Sequence, residues 1–286
     1  MRGARGGNHP PSALERGRLT AQSLFAPLLR NVAISGVAYA IVSGVGLFLA
    51  PFLIGTYGLA GYGQILIART LLPSGVFALF DLGLSENATR QVASARGVGR
   101  WEELGAALTL LVALALVLGI AIGAGMLVGA AVIADAFSIP QSERAGFLAV
   151  IQASAALQPL LLLSLVAEGV IKGFERFDWM RTIEVLGAIS YCALAIVLGL
   201  AGYGANWIAA GFLASLLLRL MLAIILALRL LSHRKVHAQR WDSTTRREVL
   251  GWSLTMLGSK FIGTVQNQLA SPLIGILIGP AAVGES

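Results

Sequence analysis

Three cations interrupt hydrophobic runs that are otherwise long enough to cross a membrane: Arg69, Arg219 and Lys260. A charge held in hydrocarbon costs about 3 kcal/mol or more unless it meets water, a counter-charge or an anionic ligand. An anionic ligand rewards such placement, because arginine can donate two parallel hydrogen bonds and lysine offers a point charge. Lys260 has the richest setting. On a helix its face also carries Ser253, Thr264, Asn267 and Ser271, with Gln266 and Gln268 at its flanks. Lipid penalises a polar stripe of this kind, so it reads as cavity lining; a lysine satisfied by polar groups in a packed helix interface is the plainer alternative. Arg219 lies near the centre of its run with Gly211 and Ser215 on the same face, and no Asp or Glu shares that run. Ten residues separate it from Arg229 near the inner boundary, roughly 15 Å of helix, too far for its charge to reach the interface comfortably. Arg69 lies about two turns of helix in from the outer end of its run, where outward snorkelling competes with a cavity role. Asp81, near the inner end of the same run, could serve a coupling ion, but an interfacial cap or a salt bridge with Arg90 is the simpler reading.

Other chemistries find no support. His233 and His237 are four residues apart but lack a third ligand, so a solvated stretch is expected rather than a metal site. No phosphate-binding loop for ATP and no nucleophile elbow is visible, so the chain reads as neither an enzyme nor a cofactor protein. The single Cys192 lies in an apolar run and precludes an intrachain disulfide. The isoelectric point near 10.2 comes from basic residues flanking hydrophobic runs, which argues for membrane topology and against nucleic acid.

These residues need long apolar helices to position them. The chain is 57% hydrophobic and 12% charged, with a mean hydropathy of +0.80. That composition indicates an all-α, polytopic membrane protein. Spans are expected at about 32–54, 63–84, 104–134, 145–167, 183–204, 207–231 and 249–279. Residues 1–30 form a basic tail with a short amphipathic stretch before the membrane, 31–231 a six-helix lobe, 232–248 a basic linker and 249–286 the first helix of a second lobe. With the N-terminus cytoplasmic, 17 of the 21 Lys and Arg residues fall in inner segments and only Arg144 in an outer one. That asymmetry fixes the expected orientation. The short outer loops 55–62 and 200–206 should make hairpins of helices 1–2 and 5–6. Glycines 119, 123, 125 and 129 give two small-residue patterns suited to helix packing, and Phe174, Phe177 and Trp179 an interfacial anchor.

A repeat supports the two-lobe reading. Pro51, Gly58 and Gly63 recur as Pro272, Gly279 and Gly284 at a constant shift of 221 positions. The same shift sets Lys260 opposite Tyr39 and Thr264 opposite Ser43. Internal duplication is how many transporters are built. By this arithmetic the second lobe has barely begun at Ser286, so a C-terminal truncation is expected.

The stretch Gly58-Leu-Ala-Gly-Tyr-Gly63, followed by Phe80-Asp-Leu-Gly-Leu84 and Ala88-Thr-Arg-Gln-Val-Ala93, resembles the polysaccharide (lipid-linked oligosaccharide) flippases. These belong to the superfamily that includes the multidrug and toxic-compound extrusion (MATE) antiporters. The segment Lys172-Gly-Phe-Glu-Arg-Phe-Asp178 is similar to the family's connection between helices 4 and 5. The resemblance runs from about Asn31 to Gly284. It implies two six-helix lobes rocking about a central cavity bordered by helices 1 and 7. The implied substrate is a polyprenyl-pyrophosphate-linked oligosaccharide, moved across a bacterial inner membrane in polysaccharide export. Membrane lipids, a polysaccharide polymerase and glycosyltransferases are the implied partners, with no cofactor. A multidrug-type cation antiporter of the same fold is the second reading, disfavoured by the basic lumen and by a first span without a carboxylate. A non-transporting membrane assembly subunit is the third.

Overall fold

The computed structural model describes residues 13–71, 83–137, 139 and 141–268. These fold into seven α-helices, with no strand among the described residues: α1 Ala13–Leu71, α2 Leu84–Val98, α3 Trp101–Ala136, α4 Gln141–Gly173, α5 Phe177–Leu200, α6 Ala205–His233 and α7 Ser243–Gln268. Among the described residues, five stretches are long and apolar enough to cross a membrane: Val32–Leu66, α3, Arg144–Gly173, α5 and α6.

Helix α1 is two helices joined at a break. Gly58 has φ 69° and ψ 175°, a backbone region essentially closed to side-chain-bearing residues. Gly46 and Arg69 nevertheless line one cavity. In a straight helix they would be about 35 Å apart, so the chain doubles back at Gly58. The hairpin expected from the glycine-rich 55–62 segment is therefore present, with a single residue making the break. Its turn meets the one between α5 and α6, where the Tyr57 hydroxyl donates to the Tyr203 carbonyl at 2.6 Å. Two expected spans run beyond the described residues: the second continues past Leu71 and the seventh past Gln268. The repeat members 272–284 and Asp81 also lie outside them. Helix α1 begins at Ala13, inside the stretch read as a tail.

The helix ends use one device three times. Helix α5 ends with Tyr203 N–H bonded to Leu198 O and Gly202 N–H to Gly199 O, the Schellman pattern, with Gly202 at φ 77°. Helices α4 and α6 close in the same way through Glu175 (φ 60°) and Lys235 (φ 54°). A non-glycine residue there costs about 1–2 kcal/mol, so composition gives no warning of these two stops. In consequence α4 runs to Gly173, six residues beyond the expected 167.

Helix α4 is the axis of the lobe and packs against α2, α3 and α6. Gly119 and Gly123 of α3 sit directly on its backbone: a Cβ at Gly119 would lie 2.4 Å from Pro159 Cα, and one at Gly123 2.5 Å from Ala155 O. Gly125 has no neighbour within 4 Å and Gly129 none nearer than 4.0 Å, so only the first small-residue pattern packs a helix. Helix α2 occupies what was expected to be a polar inner loop. Leu84, Ala88, Val92 and Ala95, spaced by four, four and three, are buried against α4 and α3. Gly169 and Gly173 of α4 admit α2 so closely that a Cβ at Gly169 would stand 2.3 Å from Ser85 O. The stack of Trp101 on Phe174, 5.8 Å between ring centroids and 8° between planes, ties the start of α3 to the α4–α5 turn.

Candidate functional site

Both arms of α1, together with α5 and α6, enclose a cavity of about 350 Å³. Most of its wall is apolar, contributed by residues such as Val42, Leu49, Leu53 and Leu216, and into that wall project Arg69, Arg181, Arg219 and Glu184. Three cations and one carboxylate leave the lining with a formal charge of +2. Helical spacing explains the grouping. Arg181, Glu184, Ala188 and Tyr191 follow one face of α5, and Phe212, Ser215, Leu216 and Arg219 one face of α6.

Arg69 is held inward. Its guanidinium carbon lies 4.8 Å from the Phe212 ring centroid and 5.2 Å from that of Tyr191. Those two rings meet edge to face at 5.2 Å and 88°. A cation over an aromatic face gains about 0.5–2 kcal/mol, the more so when desolvated. Arg69 forms no salt bridge among the described residues.

Arg219 is paired across helices. Its Nη2 donates to Glu168 Oε1 of α4 at 3.3 Å. Its buried Nε has no hydrogen-bond partner among the described residues. Glu168 is only 8% exposed, and its second oxygen lies 3.8 Å from Lys172 Nζ. Lys172 in turn donates to Ser85 Oγ of α2 at 3.1 Å. Closer to the start of α5, Arg181 bonds Glu184 at 2.6 Å and reaches Ser35 Oγ of α1 at 3.3 Å. The cavity thus has three cations, Arg69 over two rings, Arg219 on Glu168 and Arg181 on Glu184 and Ser35.

The sequence-derived candidates separate accordingly. Arg69 and Arg219 share the cavity. Lys260, Thr264 and Asn267 lie in α7, with side chains outside what the structure describes. Ser253, expected on the stripe with Lys260, is 1% exposed and accepts a hydrogen bond from Asn87 Nδ2 of α2 at 3.1 Å. That end of the stripe is therefore helix packing and not cavity lining. Of the expected Arg219 face, Ser215 lines the cavity, whereas a Cβ at Gly211 would meet Leu198 of α5 at 3.2 Å. Arg90 bonds Glu248 at 2.9 Å and lies over the Trp252 ring at 4.7 Å; Asp81, considered as its partner, lies outside the described residues.

Two cavity-associated residues lie outside the sequence-derived candidates. Arg181 counts among the basic residues of the inner segments, although Glu184 at i+3 is a visible pairing signal. Glu168 fell one residue past the expected end of its span. The apolar sequence Val166, Val170, Ile171 continues the helical period through it and would have kept it inside.

A family model described as "Polysaccharide biosynthesis protein" matches residues 102–285. No curated protein matches the chain. Among solved structures, the inward-facing conformation of a multidrug resistance MATE family transporter of the MOP superfamily superposes with a TM-score of 0.60 at 16% identity. That superposition covers 86% of this chain and 55% of that one. A MOP superfamily transporter from Pyrococcus furiosus, whose title refers to reverse polarity of its binding pocket, gives a TM-score of 0.61 at 16% identity, covering 90% of this chain and 62% of that one. At such identity the likeness establishes the fold alone. The chain spans little more than half the length of the transporters it superposes on.

Proposed function

The chain belongs to the polysaccharide biosynthesis protein family, and from that premise we propose that it acts in transport, moving a polyprenyl-pyrophosphate-linked oligosaccharide across a membrane by alternating access. The observation that carries the reading is the meeting of Arg69 and Arg219 at one apolar-walled cavity with a formal lining charge of +2. A pyrophosphate crossing hydrocarbon loses its hydration. Fixed guanidinium groups replace that hydration with charge-assisted hydrogen bonds, which are stronger than neutral ones. The apolar wall suits the polyprenyl chain, and the spare donors of Arg69, Arg181 and Arg219 suit the phosphates. A cationic drug would meet repulsion in the same space, which argues against the multidrug-type alternative.

The cell setting follows from the same reading. The distribution of basic residues supports a cytoplasmic N-terminus in a bacterial inner membrane, with the polymerase and glycosyltransferases of polysaccharide assembly as working partners. The same reading assigns an anion-binding role to Lys260, Thr264 and Asn267, whose side chains lie outside what the structure describes. Binding measurements with purified protein test the core of this proposal. Polyprenyl pyrophosphate should bind more tightly than the matching polyprenyl alcohol. Arg69→Gln/Arg219→Gln should weaken the pyrophosphate by about tenfold or more, given ~1.5–3 kcal/mol per hydrogen bond to a charged group. Equal affinity for the two lipids, or a double variant that binds as the parent does, would defeat it.

A further inference from the structure

Glu168 stands behind the cavity wall, and its geometry is that of a competitor. One carboxylate oxygen faces Arg219 at 3.3 Å and the other faces Lys172 at 3.8 Å. The Arg219 contact is at the long end of the hydrogen-bond range, and it engages one nitrogen of a group with five donors. The buried Nε of the same guanidinium is unpartnered among the described residues. Arg219 is therefore held but not saturated. Lys172 is anchored by its own bond to Ser85 Oγ, so it stays beside Glu168 if Arg219 turns away. A buried carboxylate left without any counter-charge would strongly oppose that turn. With Lys172 in place the exchange is permitted.

We propose that Glu168 is a positioning residue for Arg219, an internal anion with which an entering phosphate competes, so that the cavity captures its ligand without holding it too tightly to release. The proposal rests on the reading of the cavity as a phosphate site. In the empty cavity, Glu168 fixes the guanidinium at the back of the wall. When a phosphate enters, Arg219 exchanges one carboxylate contact for contacts to the ligand, and Glu168 falls back on Lys172. When the ligand leaves, the carboxylate recaptures the guanidinium. Other charges near the cavity do not substitute for it, since Glu184 is engaged by Arg181 at 2.6 Å.

Calorimetric titration of the full chain in detergent with inorganic pyrophosphate, at fixed pH and salt, tests this. Glu168→Gln keeps the size and an acceptor but removes the competing charge. It should tighten binding roughly five- to tenfold, the lower range of measured couplings between sites. Lys172→Met should weaken binding, because it leaves Glu168 wholly to Arg219. Both effects should vanish in an Arg219→Gln background. A misfolded protein does not bind more tightly, so a gain in affinity is not a structural artefact. If Glu168→Gln fails to fold, Lys172→Met carries the test, and unchanged or tighter binding by it overturns the proposal. A Glu168→Gln gain that persists in the Arg219→Gln background would mean long-range charge and would also overturn it. If Arg219→Gln alone weakens binding while Glu168→Gln does not tighten it, only the positioning role fails. If Arg219→Gln alone changes nothing, the cavity reading fails as well.

Discussion

Arg69 and Arg219 meet the same desolvation problem in different ways. Arg69 replaces lost water with the faces of Phe212 and Tyr191, which attract a cation without a salt bridge among the described residues. Arg219 uses the Glu168 carboxylate, which neutralises it while spending one donor. A second kind of residue chemistry holds the lobe itself. Asn87, fully buried in α2, donates to Val249 O at 2.9 Å and Ser253 Oγ at 3.1 Å of α7. This is the described polar link between α7 and the rest of the lobe, reinforced by the exposed Arg90–Glu248 pair, which is worth little in itself. Asn87→Ala removes both buried hydrogen bonds to α7 and should cost about 1–3 kcal/mol, read as a lowered Tm of the purified protein. An unchanged Tm would mean that α7 docks without this bond. Arg69 and Arg219 were legible in the sequence because charge in an apolar run is conspicuous. Their partners were not, because pairing between helices depends on rotation about each axis, which hydropathy does not encode.

At the scale of elements, the hairpins are what bring Arg69 to the cavity at all. The break at Gly58 folds the second arm of α1 back along the first, and the Tyr57–Tyr203 bond fixes its turn beside that of the α5–α6 hairpin. The orientation proposed from the basic residues puts both turns on the outside of the cell and the α6–α7 linker on the inside. In a Cys192→Ser background, Thr56→Cys and Ala201→Cys should react with a membrane-impermeant thiol reagent in intact cells, and Ala238→Cys should not. All three positions are exposed. The reverse labelling pattern would invert the topology. Apolar length and glycine punctuation made α3, α5, α6 and the α1 hairpin readable. Helix α2 was passed over because its polar residues outnumber the apolar stripe that buries it. The end of α4 was misplaced because Glu175, not glycine, takes the left-handed position, and with that error Glu168 slipped out of its span.

Over the whole molecule, one lobe built on α4 supports a cavity whose lining charge suits an anion, and the chain spans 55% to 62% of the transporters it superposes on. On the function we propose, rocking between two lobes would expose this cavity alternately to each side, with the cations carrying the phosphates through the region where they are costliest. Export tests that account most directly. Cells whose only copy of the protein carries Arg69→Gln/Arg219→Gln should lose most of their surface polysaccharide, at protein levels matched to the parent. Undiminished polysaccharide on cells carrying the double variant would contradict it.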